Sequence, residues 1–540
     1  MRITAQQIGL ILNEAIFRDA EGNVIPATVL RAENANESSP NFSDPAAVLD
    51  EQDTLEGEPG WWTGTYFDEI YHARTAYEHL HSLSTYETSH PPLGKVIMSW
   101  GVAIFGMTPF GWRFAGALAG ILMLPAMYML GKQLTKRRTI GFAAMTMMAL
   151  DCMHFTQTRI ATIDSFPVLF IILSWLFMLR FMQRDIIGEP MKKVLPDLAL
   201  SGFFMGCGIA SKWIGIYSGA GLAMMYFWTC LRHQSLKDKK ALRALLCLAL
   251  LCLLLCLDGY LVVTGRIGKV LCGVLAGMLV WGYFLLYRFV ESLRGDRAFR
   301  RMLHLCLWCL LFFVAVPGVI YLLSYIPYFA YAYKEDVFDF FRMVIKAQEG
   351  MFNYHSKPGL GMDHPFYSPW YEWPLIKRPM YYASPSFVPE GWSYAIWCFG
   401  NPAVWLIGLV GIGATAFVWA KRHVYTLPGG DQGMHLTGSS WSIAPAFVLI
   451  GFLAQFLPWV LVPRGTYIYH YFASVPFLIL GVSLLLYWIE KWNPMVGKAV
   501  LIIYLVLCLV FFVAYFPYAS GVLTPRPWLD FMKKFLRVYY

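Results

Sequence analysis

Thr65-Tyr66-Phe67-Asp68-Glu69-Ile70-Tyr71-His72 sets two adjacent carboxylates among aromatic side chains and a histidine. Further on comes Ser89-His90-Pro91-Pro92-Leu93-Gly94-Lys95, and past Lys95 the chain is almost continuously apolar. The junction decides the fold: a polar stretch able to do chemistry sits at the water-facing edge of a large membrane-embedded body. Of the 540 residues, 57% are hydrophobic and 14% charged, against about 25% charged in soluble domains. Aromatic residues reach 17%, as suits a chain that crosses many membrane interfaces.

Charge is uneven. Residues 1–60 carry 11 acidic and 3 basic residues, whereas the rest carries 40 basic against 23 acidic. That excess fits cytoplasmic loops and lipid phosphates, and no nucleic-acid partner is expected. The 11 cysteines fall in apolar runs, and the lone Cys306-x-x-Cys309 has no second pair, so packing is the expected role. The start of the chain lacks the basic-then-apolar layout of a signal peptide. Since Asp68 is expected outside the cytoplasm, a first spanning helix is expected upstream of this chain's start.

Residues 1–60 form an acidic extracytoplasmic segment that can be read as the tail of a larger soluble module. Ala15–Arg18 and Val24–Leu30 flank an Asp19–Asn23 turn and predict a hairpin; 33–59 reads as a linker. Residues 61–111 form the first external loop, with the acidic pair and interfacial helices. Within it, 66–82 predicts a helix with Ile70, Ala73, Tyr77 and Leu80 along one side. Transmembrane helices fill 112–328 and 396–518, a long external aromatic loop occupies 329–395, and 519–540 is an external tail. At roughly 20 apolar residues per span, the spans fall near 112–134, 140–155, 163–183, 197–211, 214–231, 244–263, 270–288, 302–328, 396–419, 441–460, 468–487 and 497–517. The expected class is therefore an all-α polytopic membrane protein, a bundle of about twelve transmembrane helices with external interfacial helices and loops. Lys136-Arg137-Arg138, Lys192-Lys193, Lys237–Lys240, Arg294–Arg301 and Lys421-Arg422 fall in alternate connections, which the positive-inside rule places in the cytoplasm.

The polar residues left on the external side are the candidates for chemistry. Asp68 and Glu69 point in different directions, so one can accept a proton while the other positions a substrate; a solvated acidic pair at a helix start is the plainer reading. His90 and Lys95 can contact a phosphate or brace the acidic loop. Asp151, His154, Gln157, Arg159 and Asp164 crowd one short turn, where Arg159 can hold a lipid-linked phosphate or pair with Asp164 or Asp151. Lys212 and Arg464 are external cations suited to the same phosphate, or to snorkelling. His72, Asp164, His355, His364, Tyr467 and His470 are candidates for acceptor or loop support. In the long loop, Val337, Phe340, Phe341, Val344 and Ile345 predict an interfacial helix, and 364–374 an aromatic lid. No HExxH, DxD, P-loop or GxGxxG pattern occurs, so no metal and no cofactor is expected.

The ordered set resembles the protein O-mannosyltransferase family, integral membrane glycosyltransferases of the GT-C fold. It comprises Asp68-Glu69, His90-Pro91-Pro92-Leu93-Gly94-Lys95, Asp151-x-x-His154 with Arg159 and Asp164, and Ser211-Lys212-Trp213-x-Gly215. It continues with Asn353-Tyr354-His355-Ser356, His364-Pro365, Ser368-Pro369-Trp370-x-x-Trp373-Pro374-Leu375, Gly400-Asn401-Pro402 and Tyr469-His470-Tyr471-Phe472. The resemblance covers roughly 62–520. It implies transfer of mannose from a polyprenyl phosphate to Ser or Thr hydroxyls of translocated polypeptides, with inversion at the anomeric carbon. Asp68 is then the general base and Glu69 places the acceptor. Arg159, Lys212, Arg464, His90 and Lys95 hold the lipid phosphate, without metal. The implied setting is the plasma membrane, with the site on the extracytoplasmic face and the secretion translocon as a further partner. Three departures stand out: the first spanning helix is not visible, the soluble insertion of eukaryotic members is missing from the long loop, and 244–263 with 270–288 exceeds the expected helix number. Two other readings are a related GT-C enzyme moving a sugar to a lipid, as aminoarabinose transferases do, and a transporter of lipid-linked sugars. A transporter would set its polar groups near the bilayer midplane.

Overall fold

The computed structural model describes residues 60–233, 297–332, 337–383, 388–424 and 440–535, with short pieces at 15–19 and 23–27 and a few isolated positions. Among these residues, eight helical segments are long and apolar enough to cross a membrane: Pro109–Thr135, Ser165–Met182, Met191–Ser211, Arg300–Tyr328, Pro402–Ala420, Ile443–Leu461, Ile468–Trp492 and Pro494–Ser520.

The helices in order are α1 Glu69–Leu80, α2 Leu93–Phe105, α3 Pro109–Thr135, α4 Arg138–Ala149, α5 Cys152–Arg159, α6 Ser165–Met182, α7 Met191–Ser211 and α8 Ile214–His233. Then come α9 Arg297–Leu310, a π turn Leu311–Ala315, α10 Val316–Tyr328, α11 Val337–Ser356, α12 Pro402–Val424, α13 Ser440–Phe456, α14 Val475–Trp492, α15 Pro494–Ser520 and α16 Arg526–Phe535. Local chemistry sets their ends. Thr108 Oγ1 accepts from Gly111 N at 3.1 Å and Pro109 opens α3. Asn493 caps α15 in the same way, with Pro494 at its first position. Such caps satisfy amide donors that a helix start leaves unpaired.

Helices pack most extensively as α6 on α7, α3 on α4 and α12 on α14. Lipid is as apolar as leucine, so these contacts rest on close fit and buried hydrogen bonds rather than on exclusion of water. Trp175 is fully buried, packs edge-on against Phe447 and Phe477, and donates from Nε1 to Ser218 Oγ at 2.7 Å. Gly202 lets α7 approach the π turn so closely that a Cβ there would sit 2.1 Å from the Phe312 carbonyl oxygen.

Several expectations change. Residues 140–155 do not form one continuous helix. α4 has 12 residues, about 18 Å at 1.5 Å per residue, and ends where Asp151 caps α5 by accepting from Met153 N and His154 N. The segment expected from 396 begins as a strand, Ile396–Cys398, and turns helical only at Pro402. The all-α expectation also missed two small antiparallel sheets: Met380–Ala383 pairs with Ile396–Cys398, and Trp392–Ser393 with Thr524–Pro525. α8 covers the expected 214–231 segment, while 244–263 and 270–288 lie outside the described residues, as does nearly all of 33–59. The hairpin near Asp19 is present, with Arg18 bridged to Val24.

α1 forms where expected, with most of its apolar side turned outward and its polar side buried. Ile70, Tyr77 and Leu80 are exposed, while Glu69, His72, Thr75, Glu78 and His79 are buried beside Ala73 and Ala76. An element lying over a polar site and facing a membrane surface shows its apolar side outward. Helix α11 likewise buries Val344 and Met351 against Tyr325, Tyr328 and Phe329, leaving Phe341 and Ile345 exposed.

Candidate active site

Asp68 opens α1 on a turn whose preceding residue, Phe67, sits at φ 56°, in the left-handed region. A side chain with a Cβ adopts that geometry at a cost of order 1–3 kcal/mol and needs its surroundings to hold it. Phe67 is held: its ring lies 4.4 Å from Tyr382 and 6.2 Å from Tyr469. Tyr382 is fixed in turn, donating from its hydroxyl to Gln157 Oε1 at 2.6 Å. The turn presents a half-buried Asp68 carboxylate that does not cap its helix. Burial pushes this carboxyl up to about 6; Lys212 opposes the shift, and Asp164 and Glu87 add to it. A base near neutrality accepts a proton better than an exposed carboxylate does.

Glu69 has a different fate. It is fully buried and takes Arg113 through two bonds of 2.7 Å, Nε to Oε1 and Nη2 to Oε2. It also accepts from Ala161 N at 2.9 Å and Tyr66 N at 3.1 Å. The expected contact of Glu69 with an acceptor is corrected: its oxygens are saturated inside the protein. Arg113 Nη2 also reaches the carbonyls of Trp61 at 2.8 Å and Gly64 at 2.9 Å, fastening the whole 61–69 loop. Arg113 was missed because it lies within an apolar run; a lone arginine at the start of a span was the signal.

The cations divide. Lys212, at the α7–α8 turn, pairs with Asp164 at 2.7 Å and has its ammonium 5.6 Å from the Tyr469 ring centre. Tyr469 lies in the fields of Asp68, Asp164 and Arg464 together, so these groups border one site. Arg464 lies 5.8 Å over Tyr354 and has no ion-pair partner among the described residues. Its hairpin is clamped to the long loop by Gly359 N to Pro463 O at 3.1 Å and Gly465 N to Leu360 O at 2.7 Å. The approach is so close that a Cβ on Gly465 would meet the Gly361 carbonyl oxygen at 2.3 Å.

Arg159 and Lys95 do not stand where a phosphate was expected. Arg159 donates to the Ser520 carbonyl at 2.9 Å, capping the end of α15, and lies over Phe155 and Trp61. Neither expected pair forms: Asp164 takes Lys212, and Asp151 accepts from Trp405 Nε1 at 2.8 Å. Lys95 is fully buried and donates to Glu87 Oε2 at 2.5 Å, Glu87 O at 2.8 Å and His90 O at 3.1 Å. It braces the turn. Burial alone would raise Glu87, yet Lys95, followed by His72, brings it down to about 2.

The histidines line and support the site. His90 and His355 stack at 5.1 Å, and His355 Nε2 lies 2.7 Å from the Ser89 carbonyl. Burial, then Arg464, pushes His355 down to about 4; burial, then Lys212, pushes His90 well down. Burial also takes His72 down to about 4. All three are neutral at pH 7. His470 is buried 4.5 Å from Trp459 and 4.4 Å from Tyr469. Tyr467 donates to the Gly361 carbonyl at 3.2 Å, and exposed His364 lies edge-on to it at 5.3 Å. Tyr467 and His470 thus carry the base of the aromatic loop. No group of three or more His, Cys, Asp or Glu among the described residues could hold a metal ion.

A bundle of apolar helices with a free carboxylate and two cations gathered at one end is the architecture of a GT-C membrane glycosyltransferase. Two family models match the chain: dolichyl-phosphate-mannose-protein mannosyltransferase over residues 77–266, and the C-terminal four-transmembrane region of protein-O-mannosyltransferase over 340–534. The chain belongs to the protein O-mannosyltransferase family. Similar curated proteins are the polyprenol-phosphate-mannose–protein mannosyltransferases of Mycolicibacterium smegmatis, 23% identical over 78% of this chain and 76% of that one, and of Mycobacterium tuberculosis, 24% identical over 78% and 75%. Among solved structures, the Saccharomyces cerevisiae protein O-mannosyltransferase Pmt1-Pmt2 complex bound to the sugar donor shares the fold. Its TM-score is 0.65 at 12% identity, covering 89% of this chain and 90% of that chain.

Proposed function

We propose that the protein transfers mannose from a polyprenyl phosphate to Ser or Thr hydroxyls of polypeptides, with Asp68 as the general base. The observation that carries the role of Asp68 is its half-buried carboxylate at the start of α1, raised towards neutrality by burial within the fields of Lys212 and Asp164, while its neighbour Glu69 is consumed by Arg113. The acceptor hydroxyl gives its proton to Asp68 as its oxygen attacks the anomeric carbon. The bond from that carbon to the phosphate oxygen breaks, its electron pair leaves with the polyprenyl phosphate, and attack opposite the leaving group inverts the centre. Lys212 and Arg464 stabilise the charge gathering on the departing phosphate, the work a metal does in DxD enzymes.

The basic residues Lys132, Lys136, Arg137, Arg138, Arg300 and Arg301 lie at or just beyond the span ends remote from Asp68, which supports a site on the extracytoplasmic face of the plasma membrane. Polypeptides emerging from the secretion translocon are the acceptors in this reading. The test is incubation of purified protein with polyprenyl-phosphate-mannose and a Ser/Thr-rich peptide, followed by anomer analysis. Inverted mannose on the peptide is expected; absent from a peptide with Ser and Thr replaced by Ala, it marks the hydroxyl as acceptor. Sugar found only on lipid would overturn the proposal.

A further inference from the structure

Helix α11 is joined to the Lys212 turn through a chain of side-chain hydrogen bonds that no catalytic step uses. Trp213, the residue after Lys212, donates from Nε1 to the Tyr321 hydroxyl at 3.0 Å. Tyr321 donates onward to Gln348 Oε1 at 2.6 Å. Gln348 Nε2 donates to the Tyr325 hydroxyl at 2.9 Å and to the Val344 carbonyl at 3.1 Å. The chain therefore joins three elements: the α7–α8 turn, the end of α10, and α11. Every bond has good length, and Gln348 uses both ends of its amide, so the network has one low-energy arrangement.

The far end of α11 meets the same turn a second time. His355 lies 5.8 Å from the Trp213 ring and 5.1 Å from His90. Two contacts on one indole, a hydrogen bond at Nε1 and a tilted ring contact with His355, hold Trp213 in position. Lys212 shares that backbone. Its Nζ pairs with Asp164 at 2.7 Å, and its charge acts on Asp68.

We propose that Gln348 and Tyr321 are positioning residues for donor binding: through Trp213 they set where the Lys212 ammonium stands, so that the packing of α11 and the capture of the lipid phosphate are coupled. This rests on Lys212 serving a lipid phosphate, as in the function proposed above. The two residues touch neither substrate nor reacting atoms. Their effect falls on phosphate affinity and not on proton transfer at Asp68.

The test uses the full-length protein in detergent micelles and the variants Tyr321→Phe, Gln348→Met and both together. Tyr321→Phe removes only a hydroxyl, and Gln348→Met keeps the volume. Binding of sugar-free polyprenyl phosphate is measured directly, beside KM and kcat for transfer and the melting temperature. Expected is a roughly three- to tenfold rise in Kd for polyprenyl phosphate, matched in the KM for the donor, with kcat and the KM for peptide within about twofold. The double variant is expected to be no worse than the worse single, since both break one chain. An unchanged Kd, a lowered melting temperature with Kd intact, or effects that multiply in the double variant would each overturn the proposal. Because the Kd arm needs no turnover, it still decides the positioning claim if the wild-type protein transfers no mannose, an outcome that would sink the reaction instead.

Discussion

Glu69 and Arg113 meet through two parallel 2.7 Å hydrogen bonds, with the carboxylate fully buried. The guanidinium also holds the carbonyls of Trp61 and Gly64, so the loop that presents Asp68 is fastened at its root. Breaking one partner of a buried pair costs about 3–5 kcal/mol, because the other charge is left unpaired. Arg113→Ala is accordingly expected to lower the melting temperature markedly in detergent and to abolish turnover. Arg113→Lys would recover little, since an ammonium lacks the fork that grips both oxygens and both carbonyls. Full stability of Arg113→Ala by thermal denaturation would show that the loop is held by something else.

The acid limb of the rate profile should report Asp68. Burial raises this carboxyl to about 6. A raised carboxyl is protonated, and useless as a base, once the pH drops below that value. Turnover with saturating donor is expected to be flat near pH 7 to 8, to halve near pH 6, and to fall about tenfold per unit below it. A limb near pH 4 would assign the base to a solvated carboxylate.

Lys212 is the charge that pulls Asp68 down against burial. Lys212→Met should therefore do two things: raise the KM for the lipid donor at least tenfold, and move the acid limb to higher pH. Lys212→Arg keeps the charge and should hold the limb in place. A limb that does not move in Lys212→Met would separate the two residues.

No set of side chains suited to a metal exists among the described residues, and two cations border the phosphate position proposed here. Treatment with EDTA is expected to leave transfer unchanged. A loss restored by added divalent cation would remove the electrostatic role given to Lys212 and Arg464.

Much of the architecture was legible because span length and basic connections are strong signals. α3, α6 and α15 lie where apolar runs placed them. The segment at 140–155 is two helices rather than one because Asp151 caps a new helix there, accepting from Met153 N and His154 N. α1 was found with its apolar side; that the opposite, polar face is buried and builds the site was not legible in periodicity alone. Asp68 and Lys212 were legible as isolated charges at apolar boundaries. Their partners were not. Asp164 was matched by nearness in sequence to Arg159, whereas it meets Lys212 across 48 positions, and Glu69 finds Arg113 across 44. Pairing between elements is set by packing, which one sequence does not display.

The most direct measurement is single-turnover mannosyl transfer to a Ser/Thr-rich peptide by the wild-type protein and by Asp68→Asn, with polyprenyl phosphate binding followed in parallel. The substitution keeps the shape, and a neutral amide in this half-buried position should not destabilise the fold. Loss of transfer by at least 100-fold, in line with the contribution of a general base, with lipid binding within about twofold, is the expected result. Transfer by Asp68→Asn at the wild-type rate would contradict the assignment of Asp68 as the base.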